Sequence, residues 1–135
     1  MRYRAAMGTL LLAVFASAPP ALAHHSFAAE FDADKPVHIT GAVTKVEWTN
    51  PHTHFYVDVK DADGKVTNWN FELGAIPVLL KQGWRKDSLK VGDQVSVEGS
   101  LAKDGSKSAN ARSVMLPDGR RVFAGSSGGN IAPNQ

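Results

Sequence analysis

The apolar positions along this chain change their period several times, and each change marks an element. Residues 5–18 form an apolar run behind Arg2 and Arg4, and Ala21-Leu22-Ala23 follows as a small-x-small triplet. That order is the order of a secretory signal peptide, with cleavage predicted between Ala23 and His24. Cleavage after Ala18 would put Pro19 directly behind the scissile bond, which signal peptidases tolerate poorly. The run is shorter than the roughly 20 residues that span a bilayer, so no membrane insertion is expected once the signal is removed.

From Val37 onward a period of two prevails, and it predicts strands. The first, Val37 to Trp48, carries Val37, Ile39 and Val43 in one phase and Val46 and Trp48 in the other, with Gly41 near the switch. A glycine and a phase change in one long strand predict a bulge that lets the strand bend between two sheets. The second strand turns Phe55, Val57 and Val59 inward and His54, Tyr56, Asp58 and Lys60 outward. After the turn Asp61-Ala62-Asp63-Gly64, the third buries Trp69, Phe71 and Leu73 and exposes Asn68, Asn70 and Glu72. Matching the faces pairs His54 with Glu72, Tyr56 with Asn70 and Asp58 with Asn68.

Ile76 to Gln82 then reads as a short helix, with Pro77 in its first turn and Gly83 at its end. Ile76, Leu79 and Leu80 are expected to cover one end of a barrel, with Trp84 beside them. Two more strands follow, Asp93 to Leu101 and Ala109 to Leu116, and Pro117-Asp118-Gly119 turns the chain into Arg121-Val122-Phe123. The expected fold class is all-β: a small OB-fold-like, partly open barrel with one short helix between strands 3 and 4. A plain β-sandwich is the alternative. The domain reading is a signal peptide at 1–23, a polar lead at 24–36, the barrel at 37–124 and a flexible tail at 125–135, where large apolar residues are too few to repay ordering.

Charge and composition narrow the function. Lys and Arg number 15 against 13 Asp and Glu, and Arg2 and Arg4 leave with the signal, so the exported part is close to neutral. The pI near 9.0 owes much to the signal. A basic footprint is missing, and the reading excludes nucleic acid as a partner. With no cysteine, export brings no disulfide framework.

Several segments together resemble a family of exported bacterial proteins of unknown function: His24-His25-Ser26-Phe27, Val43 to Trp48, Asn50-Pro51-His52, Phe71-Glu72-Leu73, Gly83-Trp84 and Leu116 to Arg120. The HHSF start and the EWTNPH segment carry the likeness. It implies an exported small β-barrel domain and supplies no activity.

The residues suggest two sites. His52, His54, Tyr56, Asn70 and Glu72 fall on the outer face of strands 2 and 3, where OB-folds bind ligands. Glu72 is expected to orient His54. That face would hold a small polar ligand, a glycan or an exported protein, and the chain is expected to be a monomer. Alternatively, the amino group and Nδ1 of a mature amino-terminal His24 can chelate a metal, resembling a histidine brace, with His25 beside it and His52 or His54 adding a nitrogen. Cu(II) suits nitrogen-rich tetragonal sites and is the cofactor this reading names, as a carrier or buffer. Catalytic residues are not expected: cysteine is absent, Ser26 beside His25 lacks a third partner, and no phosphate loop appears. His38 reads as ordinary surface. Trp48, Trp69, Trp84, Phe55 and Phe71 read as core, leaving Tyr56 the aromatic placed to stack.

Overall fold

The structure is a computed structural model, and it describes residues 26–125. A short helix, α1 (Ser26–Glu30), leads into a long strand, β1 (Phe31–Glu47), followed by β2 (His54–Lys60), β3 (Val66–Glu72), helix α2 (Ile76–Lys81), β4 (Gln94–Ala102), β5 (Ser108–Met115) and β6 (Arg121–Phe123). The sheet order is β3-β2-β1-β4-β5-β6, and a further parallel pairing of β3 with β5 closes it on itself. This is an all-β, OB-fold-like, partly open barrel with a short helix between strands 3 and 4. Polar lead and barrel are not separate, because β1 begins at Phe31, inside the segment expected to be lead.

β1 is long because it serves two neighbours. Its residues Phe31 to Ala42 pair with β4, and Ala42 to Glu47 pair with β2. The bulge falls between Val43 and Lys45, which inserts Thr44 and moves Val46 into the inward phase held earlier by Ile39 and Val43. Gly41 therefore has another duty than the one expected. A Cβ there would lie 2.2 Å from the carbonyl oxygen of Asp58, so Gly41 lets two backbones approach closely where the strand crosses over β2.

The core collects the inward phase of every strand: Val43, Phe55, Val57, Phe71, Leu73, Val97 and Val114 are almost fully buried. Phe55 and Phe71 stack with centroids 5.2 Å apart, and truncating either would cost about 3–5 kcal/mol. Trp48 and Trp69 are only partly buried and pack against this core. Trp84 is 2% exposed, and its indole N–H donates to the Phe123 carbonyl at 2.7 Å, so the large ring is buried without stranding its polar atom.

α2 closes one end through Leu79, while Leu80 is 44% exposed and does not join the cover as expected. The short helix presents only one side to the barrel, and Leu80 follows Leu79 out of it. Gly83 takes φ +96° just beyond the helix, the left-handed conformation that ends it. The opposite end of α2 is held from a distance: Asn50 Oδ1 accepts from the Ile76 N–H at 3.0 Å. Among the described residues no helix is long and apolar enough to cross a membrane.

Candidate functional site

The β2–β3 hairpin adopts the register the alternation demands, with His54 opposite Glu72, Tyr56 opposite Asn70 and Asp58 opposite Asn68. The flanking strands extend these pairs into rows. β1 sets Glu47 opposite His54 and Lys45 opposite Tyr56, and β5 sets Asn110 opposite Glu72 and Ser108 opposite Asn70. One row across four strands thus reads Glu47, His54, Glu72, Asn110, and the next reads Lys45, Tyr56, Asn70, Ser108. Both lie on the side of the sheet away from the core.

Glu72 is the centre of the face. It is 8% exposed, its Oε1 lies 3.3 Å from His52 Nδ1, and the Asn110 side chain hydrogen-bonds to it. Burial pushes its carboxyl above the usual carboxylate range; His52 and His54 oppose the rise, Glu30 adds to it, and Asn110 opposes it. The carboxylate expected to orient His54 is therefore shared differently. His54 Nδ1 lies 3.1 Å from Asn70 Oδ1, a diagonal neighbour, while Glu72 leans between β2 and β5 toward His52 and Asn110. Direct opposition in the register sets Cα positions and leaves side chains free to lean along the strand.

Tyr56 is not a free stacking platform. Its hydroxyl donates to Glu47 Oε2 at 3.2 Å, and the Lys45 ammonium lies 5.2 Å from its ring centroid. The Lys45 ammonium in turn pairs with Glu47 at 2.5 Å. That hydrogen bond holds the Glu47 carboxyl below its ordinary range against a counteracting desolvation, with Tyr56 and His54 also lowering it. His54 thus stands between two carboxylates, Glu47 and Glu72. Lys45, Glu47 and Asn110 complete a site in which the sequence reading places only His52, His54, Tyr56, Asn70 and Glu72. Glu47 was recognisable from its place one strand over from His54; Asn110 was not, because a parallel pairing between β3 and β5 leaves no local signal.

The chain preceding β1 bears on this face through charge. Glu30 acts on the Glu72 carboxyl, and the Lys103 backbone N–H donates to the Glu30 carbonyl at 2.8 Å, anchoring the end of α1 to the turn after β4. A groove of about 530 Å³ runs there, lined by Glu30, Lys103, Asp104, Ser106 and Ser108 among others. Ser108 belongs to the second polar row, so the groove opens onto the face. His24 and His25, the amino-terminal half of the expected metal chelate, lie outside the described residues. Among the described residues no three His, Cys, Asp or Glu side chains are grouped to hold a metal ion.

A barrel of this topology with a polar face over β1, β2, β3 and β5 defines a small OB-fold-like domain. The chain belongs to a family of unknown function, DUF6152, which matches residues 12–111. Among solved structures it is similar to the mitochondrial single-stranded DNA-binding protein Rim1 of S. cerevisiae in two crystal forms. One has 15% identity, a TM-score of 0.48 and coverage of 61% of this chain and 92% of that one; the other has 16%, 0.47, 61% and 91%. It is also similar to the N-terminal domain of PriB from Thermoanaerobacter tencongensis, with 17% identity, a TM-score of 0.42 and coverage of 62% and 96%. No curated protein matches. The exclusion of nucleic acid read from the charge balance is withdrawn, since Rim1 is a single-stranded DNA-binding protein. At such identities the likeness concerns the fold and leaves this chain's own ligand to its residues.

Proposed function

We propose that the protein is an exported, periplasmic binding module that holds a small polar ligand on the face centred on Glu72. The observation that carries this reading is the four-strand row Glu47, His54, Glu72, Asn110. A carboxylate kept buried against its own solvation cost, between two imidazoles and an amide, is expensive for the fold and useful for recognition. The groove beside Ser108 gives such a ligand room. Export is supported by the basic start, apolar run and small-x-small triplet that end at Ala23. The test is native mass spectrometry of the protein taken from the periplasm without dialysis. A retained small ligand that Glu72→Gln loses is expected; a bare native mass, or a ligand that the variant keeps, would overturn the reading.

A second reading, a Cu(II) carrier or buffer, is favoured by one observation: the charge of Glu30, only a few residues beyond His25 in the chain, bears on the Glu72 carboxyl. On this reading the His24 amino group and imidazole, His25, and His52 or His54 supply the nitrogens. Adding one residue before His24 should then abolish tight Cu(II) binding, whereas binding that survives the addition would exclude the amino-terminal chelate.

A further inference from the structure

A second cluster lies away from the Glu72 face, on the outer side of β1 and β4. His38 Nε2 is 2.7 Å from Ser96 Oγ, and His38 Nδ1 faces Glu98 Oε1 at 3.9 Å. The strand register produces this. His38 stands opposite Glu98, and Thr40 stands opposite Ser96, so one imidazole reaches two β4 side chains that share a face. The second carboxylate oxygen of Glu98 is fixed by other groups: Arg121 Nη1 donates to it at 2.9 Å, Ser113 Oγ at 3.2 Å, and Arg112 Nη2 lies at 3.9 Å. Oε1 is left toward His38.

A carboxylate on the Nδ1 side favours the tautomer with its proton there, which leaves Nε2 to accept the Ser96 hydroxyl. Thr40 Oγ1, 3.0 Å from Ser96 Oγ, then donates to the serine oxygen. His38, Ser96, Glu98, Ser113, Met115 and Arg121 line a surface hollow of about 130 Å³. Nucleophile, base and orienting acid therefore surround a space the size of about four waters. The sequence alone hides the set, because His38 and Ser96 are 58 residues apart.

We propose that Ser96 is a nucleophile, activated by His38, that takes a short acyl group from an ester. Ser96 Oγ adds to the ester carbonyl carbon as its proton passes to His38 Nε2. The tetrahedral adduct collapses by breaking the bond to the leaving oxygen, which receives that proton and departs as an alcohol. Water then attacks the acyl-serine, giving its proton to Nε2; the serine oxygen leaves with it, and a short carboxylic acid is released. Arg121 supplies positive charge to the hollow where the oxyanion forms. The β4 backbone is committed to ladders on both sides, so paired β4 backbone donors serve the oxyanion in neither step; with an ester whose leaving group departs more readily than the serine oxygen, deacylation is the slower step. Glu98 is a positioning residue.

The test is reaction of the full chain with a fluorophosphonate probe and with p-nitrophenyl acetate, read by peptide mass spectrometry and by burst kinetics. One label on Ser96 is expected, absent in Ser96→Ala and slower by about a hundredfold or more in His38→Gln, the range removed with a general base. Glu98→Gln should still be labelled, with the acylation rate for p-nitrophenyl acetate lowered and the ester concentration giving half that rate unchanged, as expected of a residue that positions His38. No label on Ser96, or a rate that His38→Gln leaves unchanged, would overturn the proposal.

Discussion

Glu72 and Asn110 stand opposite each other across the parallel β3–β5 pairing that closes the barrel, and the amide hydrogen-bonds to the buried carboxylate. Closure of the fold and assembly of the polar face are thus one event. Without β5 against β3, Glu72 would be an edge-strand residue open to water. With it, the carboxylate is enclosed between β2 and β5 and depends on His52 and Asn110 for its partners.

Glu72→Gln should separate stability from binding. An unfolded glutamate titrates at about 4.3, and burial raises the folded value above that. Between the two values the folded chain holds a proton that the unfolded chain has lost, so stability falls as pH rises through the window and stays lower above it. The glutamine variant lacks this loss. Its gain over the native protein is expected to be larger at pH 7 than at pH 4, where it shrinks toward zero. Thermal melts across that range check it; a variant less stable at pH 7 than at pH 4, relative to native, contradicts it.

Gly99→Ala should damage both the fold and the face. A Cβ at Gly99 would meet the Asn110 carbonyl oxygen at 2.1 Å, a backbone atom that can yield only by moving β5. The cost is expected at roughly 3 kcal/mol, with the Asn110 and Glu72 resonances displaced in the fraction that folds. Denaturant unfolding and amide chemical shifts measure the two effects separately.

Asn50→Ala should loosen α2 from outside the helix, since the Ile76 N–H loses its acceptor. A cap of this kind is worth about 1 kcal/mol. Hydrogen exchange should quicken at Ile76 and its neighbours before it does so in β2, which distinguishes loss of the cap from general unfolding.

Trp84→Ala is expected to cost about 3–5 kcal/mol by cavity formation, and Trp84→Phe less. Both also strip the Phe123 carbonyl of its indole donor. Chemical denaturation should rank them in that order, and fluorescence of the remaining Trp48 and Trp69 should report the repacking.

Much of this was legible in the alternation of side chains. A hairpin with one apolar face admits a single register, because a slip of one residue would turn Asn70 and Glu72 into the apolar core and Phe71 out of it. For that reason the pairs His54 with Glu72 and Asp58 with Asn68 follow from the sequence. Asn68 Nδ2 indeed donates to Asp58 Oδ1 at 2.7 Å. What stayed hidden has two physical sources. Thr44 is the bulged residue and Gly41 the close approach, and a phase change alone cannot say which of several neighbours absorbs it. The partners of Glu72 depended on the non-local β3–β5 contact and on side-chain lean, so the acid expected beside His54 turned to His52. Ser96 beside His38 was equally beyond reach, because it needs the β1–β4 register.

The most direct test of a Glu72-centred binding face is two-dimensional NMR mapping of a library of small polar fragments on the native protein and on Glu72→Gln. Shifts should concentrate on His52, His54, Asn70, Glu72, Asn110 and the groove residues near Ser108, and the variant should lose them while keeping its fold. Fragments that gather elsewhere, or that bind the variant as well as the native chain, would contradict the account.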